Sequence, residues 1–62
     1  MNKKQFLEQL EKLLSDLPEE ERREAIAWYQ DYFDDAGEEN EADVIAQLRS
    51  PEDVARNIKA NP

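Results

Sequence analysis

Residues 31–43 read DYFDDAGEENEAD, a run in which carboxylates crowd around the only glycine of the chain, Gly37. Side chains of this kind can hold a divalent cation, exchange protons as an acid–base pair, or meet a basic partner. A calcium loop of the EF-hand type needs oxygen ligands at alternate positions, glycine sixth and glutamate twelfth. With Gly37 sixth, Tyr32 falls first, Asp34 third and Ala36 fifth, so the pattern fails. Asp34, Asp35, Glu38 and Glu39 retain at most a weak hold on a divalent ion, and no metal site is assigned. Acid–base catalysis needs one carboxyl whose pKa is raised by its surroundings, and nothing near these exposed helix ends supplies that. The run reads best as a turn in which Gly37 stops one helix and Asn40 starts the next.

Composition narrows the chemistry further. The chain has 62 residues, no cysteine and no histidine, which removes disulfides, thiolate chemistry, the usual zinc sites and the commonest general base. No catalytic residue and no cofactor is expected. The formal charge is -8, and between Arg23 and Arg49 every charged residue is acidic. Such a surface repels phosphate backbones, so nucleic acid is not expected as a direct ligand. Met1 to Lys4 leads into an amphipathic segment and not into a signal peptide, and no apolar run approaches the roughly 20 residues of a membrane span. A chain this short buries little surface, so docking to a partner or to a copy of itself would add to its stability.

Four helices must position these residues. The first opens with Asn2 and Gln5 at capping-box spacing and places Phe6, Leu7, Leu10, Leu13, Leu14 and Leu17 on one face. The second is predicted from Pro18 to Ala36, with Glu19, Glu20 and Glu21 at its positive end, Glu19 within reach of Arg23, and Gly37 in a left-handed C-terminal conformation. At 100° per residue its broad apolar stripe centres on Ala25, Tyr29 and Ala36, with Ile26 and Phe33 on one flank and Trp28 and Tyr32 on the other. NEADVIAQL from Asn40 and SPEDVARNI from Ser50 form two short, similar helices, each with a capping residue and an aspartate three positions on. Shared helix-start chemistry is preferred over duplication as the cause. The fold expected is all-α: a compact bundle in which two longer antiparallel helices are covered by two short ones, forming a single domain over residues 1–62.

Some charges break local rules. Asp31, Asp34 and Asp35 occupy the last turns of the second helix, where the macrodipole favours cations by about 0.3–1 kcal/mol per charge. Departures of this kind mark candidate functional positions. Asp31 and Asp35 project beside Trp28 and Tyr32, an aromatic edge bordered by carboxylates that suits a partner's arginine or lysine. The plain alternative is a solvated acidic face, with Trp28 completing the core. Lys3 and Lys4 stand in a first turn where the dipole disfavours them; a solvated pair is preferred over a tether to distant acids. The third and fourth helices have a helix-turn-helix outline, but Arg56 and Lys59 alone grip phosphate poorly and Glu52 and Asp53 stand at the recognition end.

MNKKQFLEQLEKLL, LPEEERREAIAWYQDYFDDAGEENEADVI and SPEDVARNI together resemble the HAAS domain, the helix-turn-helix-associated α-helical signalling domain at the N-terminus of a bacterial predicted membrane-protein family. The resemblance spans nearly the whole chain. Its most telling part runs through Tyr29, Tyr32, Phe33, Asp35, Ala36, Gly37, Glu39 and Asn40 to the Ser50–Pro51 helix start. It implies a non-catalytic cytoplasmic module for protein interaction in signal transduction, encoded alongside PadR-like transcription regulators and commonly followed by membrane-spanning segments. The partner expected is a basic surface of such a regulator, met by Trp28, Asp31, Tyr32 and Asp35. Homo-oligomerisation through the same aromatic flank and acidic mimicry of DNA are the alternatives. The family carries no catalytic residues to transfer. Arg49 stands where such sequences often have glycine, which implies a strained left-handed turn or another shape, and the chain ends at KANP without spans.

Overall fold

The first helix begins where its sequence says it should. In the computed structural model, which describes residues 1–60, helix α1 spans Lys3–Leu13. Asn61 and Pro62, the last half of the KANP ending, lie outside the described residues. Asn2 Oδ1 accepts the Gln5 N–H at 2.9 Å while Gln5 Oε1 accepts the Asn2 N–H at 3.0 Å, so the predicted capping box is formed. Beyond Leu13 the Leu14 N–H is shared between the carbonyls of Leu10 and Glu11, at 3.0 and 3.2 Å, and the chain turns.

Pro18 sits just outside the second helix, one residue earlier than expected. Helix α2 covers Glu19–Ala36, and the Pro18 carbonyl accepts the Arg22 N–H at 3.0 Å. Glu19 pairs with Arg23 at 3.1 Å across one turn. A single 3₁₀ turn, Glu38–Asn40, leads to helix α3, Glu41–Leu48, and then to helix α4, Pro51–Ala60. Ser50 caps α4: its Oγ accepts the Asp53 N–H at 3.1 Å and its hydroxyl donates to Asp53 Oδ2 at 3.0 Å.

Phe6, Leu10 and Leu14 are fully buried and meet Phe33, Val44, Val54 and Ala55 in one core, with Pro51 also enclosed. The Phe6 and Phe33 rings meet edge to face, 5.7 Å between centroids. Lys3 Nζ lies 3.0 Å from Asp34 Oδ1, so the start of α1 stands beside the end of α2, as antiparallel packing requires. The all-α four-helix bundle is as expected, but its proportions differ. With 11 residues α1 is scarcely longer than the 10-residue α4, and the 18-residue α2 is the one long element. Helix α4 packs most extensively against α1, and α3 touches α1, α2 and α4 to similar extents.

The buried line of α2 is displaced from the predicted centre of its stripe. Phe33, expected on a flank, is its only buried residue, whereas Ala25, Tyr29 and Ala36 are half-buried. Helix α1 approaches on the Phe33 side, and the two short helices are too small to cover the opposite flank.

The connection from α2 to α3 departs from expectation, and the one from α3 to α4 takes the alternative shape expected at Arg49. Gly37 has φ 89° and ψ 154°, so its φ is positive but its ψ is extended and not left-handed helical. Asn40 makes no side-chain cap on α3; its Nδ2 donates backwards to the Ala36 carbonyl at 2.7 Å and closes the end of α2 instead. Arg49 has φ 76° and ψ -81°, and the Ser50 N–H bonds the Leu48 carbonyl at 3.1 Å. That i to i+2 bond defines a γ-turn of the rare positive-φ kind.

Candidate aromatic and acidic interface

The flank of α2 left uncovered carries Trp28, 59% exposed and the only tryptophan in the chain. One helical turn on, Tyr32 is half-buried, with its ring centroid 5.7 Å from that of Trp28. The Tyr29 ring also meets the indole, at 4.8 Å between centroids, with the two rings inclined at 74°. Burial pushes the Tyr29 phenol above its ordinary pKa, so this neighbour stays protonated at neutral pH. The indole thus touches two phenol rings while more than half of it faces water.

Trp28, Tyr32, Asp35 and Ala36 line an open cleft of about 460 Å³. The spacing i, i+4, i+7, i+8 brings all four to one side of α2. Ala36 is small enough to leave the floor of the cleft open. The Tyr32 hydroxyl points across to α3, where it donates a long bond of 3.4 Å to Gln47 Oε1. Neither residue is marked by its sequence: the stripe puts Ala36 at its buried centre, and Gln47 comes from a different helix with no local signal.

Of the four positions expected to meet a partner, the cleft gathers Trp28, Tyr32 and Asp35. Asp31 is exposed on the same helix, one turn before Asp35, but does not line the cleft. The acids at this end of α2 divide into two kinds. Asp34 is tied to Lys3, whose backbone N–H also donates to Glu41 Oε2 at 3.0 Å. The tether for Lys3 therefore forms, contrary to the preferred solvated pair, while Lys4 is exposed. Asp31 and Asp35 make no ion pair among the described residues.

The cations of α4 are already engaged. Arg56 pairs with Asp53, and Lys59 Nζ lies 2.8 Å from Asp16 Oδ1. The Ser50 hydroxyl first, and the Arg56 guanidinium second, hold the Asp53 carboxyl below its ordinary pKa; the Lys59 hydrogen bond does the same for Asp16. Among the described residues no three carboxylates converge as a metal-holding group, and no helix is long and apolar enough to cross a membrane.

Residues 5–57 match the model of a family described as HAAS. Neither the curated proteins nor the solved structures provide a match.

Proposed function

Because the chain belongs to the HAAS family, a signalling-associated domain family, we propose that it is a non-catalytic interaction module that docks a basic protein surface onto the exposed edge of α2. The observation that supports this reading is the pairing of an exposed indole with two carboxylates that make no ion pair among the described residues. A solvated face built for solubility has no use for a large aromatic at its centre. Trp28 supplies apolar area at low conformational cost, and Asp31 and Asp35 select lysine or arginine around it. The partner in this reading is a PadR-like transcription regulator, bound through protein contacts at the cytoplasmic side, with no cofactor and no direct contact to nucleic acid.

The double substitution Trp28→Ala with Asp31→Lys tests the reading. Binding to a PadR-like regulator encoded beside the gene is expected to fall at least about 30-fold, the loss of one aromatic anchor of about 2 kcal/mol. Undiminished binding would remove this surface from the function. Self-association through the same edge is the second reading, supported by the exposure of Trp28 in so small a protein. Sedimentation separates the two: a chain that stays monomeric at high concentration and still binds the regulator excludes it.

A further inference from the structure

The exposed face of α2 continues beyond the cleft towards the start of the helix. Glu21, Glu24, Trp28, Asp31 and Asp35 follow one another at intervals of three, four, three and four residues. All five are exposed. That alternation is the heptad spacing of a helix-pairing seam, in which successive residues fall on one narrow stripe. At 1.5 Å per residue the stripe is about 21 Å long. None of its four carboxylates makes an ion pair among the described residues. Tyr32 flanks the stripe on one side and the exposed Ala27 on the other, so the surroundings of the indole are shallow.

We propose that this stripe receives an amphipathic basic helix of a partner protein, which sets one large apolar side chain into the cleft beside Trp28 and lysines or arginines on either side of it. The proposal rests on the interaction-module reading and gives that partner a secondary structure and a register. Charge identifies the occupant. In a parallel pairing of two copies, Glu21 meets Glu21 and Asp31 meets Asp31. In an antiparallel pairing centred on Trp28, Glu21 meets Asp35 and Glu24 meets Asp31. Every symmetric arrangement therefore sets carboxylate against carboxylate, and a second copy of this chain is the wrong partner for the seam. A strand is also unsuited, since its side chains repeat every two residues along one face and fall out of step with stations about 5 Å apart.

The single tryptophan reports on the site directly. The 62-residue chain is titrated with a helical peptide carrying lysines at heptad positions on both sides of one leucine, at low salt. Trp28 fluorescence is expected to shift to the blue and saturate, and raising the salt should weaken binding. A peptide of identical composition with its lysines at alternate positions should bind at least about tenfold more weakly. Glu21→Lys and Glu24→Lys, both outside the cleft, should each weaken the heptad peptide severalfold while leaving helicity by circular dichroism unchanged. If Trp28→Phe and Asp35→Lys weaken binding but Glu21→Lys and Glu24→Lys do not, the helical register is overturned and the basic-partner reading stands. If the heptad peptide binds no better than the alternate one, the helix is overturned. If neither peptide binds, while the regulator does, the occupant is not a basic helix; if the regulator also fails to bind, the module reading fails with it.

Discussion

Gly37 and Arg49 both have positive φ, and substitution should move stability in opposite directions at the two positions. At φ 89° and ψ 154° Gly37 occupies a region almost closed to other residues. A Cβ added there would meet only Glu39 Oε1 at 3.7 Å, an ordinary contact, so any penalty arises in the backbone. Gly37→Ala is expected to cost about 1–3 kcal/mol. Gly37→Asn should cost as much, because asparagine is at home in the left-handed helical region and not at extended ψ. An asparagine variant as stable as the parent would restore the simpler left-handed turn read from the sequence. Arg49, at the centre of its γ-turn, carries strain that glycine would relieve. Arg49→Gly should raise stability by about 1 kcal/mol, the relief less the extra freedom glycine gains on unfolding. Urea midpoints measure all three variants, provided the slope of the transition is unchanged.

Helix starts show how far local sequence carries at the scale of the element. Asn2 with Gln5 forms the reciprocal cap that its spacing announces, and Ser50 caps the Asp53 N–H while its hydroxyl holds the Asp53 carboxylate, because each bond lies within one turn and needs no other part of the fold. NEADVIAQL carries the same local signal, yet Asn40 turns back to the Ala36 carbonyl, because the 3₁₀ turn after Gly37 places that carbonyl in reach. The Phe33 displacement and the choice of Asp34 as the partner of Lys3 are not legible locally, since both depend on which side of α2 is met by α1. Trp28, Tyr32 and Asp35 could be grouped from spacing alone; Gln47 could not. Ser50→Ala should cost about 1 kcal/mol, the usual loss of a side-chain cap. It also removes the largest influence holding Asp53 low, so the Asp53 carboxyl should titrate closer to its ordinary range by NMR, and move further than in Arg56→Ala. Both Asp53 and Asp16 have folded pKa values below their unfolded ones. Their contribution is therefore complete above the unfolded value of about 3.9 and is lost as pH falls through the lower folded values.

The whole molecule is small for the number of elements it assembles. Its radius of gyration, 11.1 Å, is near the roughly 10.6 Å typical of a folded chain of this length. The longest dimension, 32 Å, is close to the length of α2, about 27 Å at 1.5 Å per residue. Total stability on the order of 3–9 kcal/mol is expected at this size. Leu10 is fully buried at the centre of the core, and Leu10→Ala removes about 2–5 kcal/mol, enough to leave a large unfolded fraction at 37 °C. Retention of a cooperative thermal transition near the parent's midpoint would mean that the core is less dependent on α1 than its burial indicates.

Because α4 lies chiefly against α1, the leucines of α1 leave the ribosome about forty residues ahead of a helix that covers them. Vectorial synthesis offers no stable halfway product: a nascent chain arrested before residue 51 would display Leu10 and Leu14 to chaperones and proteases, and this core would close only after α4 clears the exit tunnel.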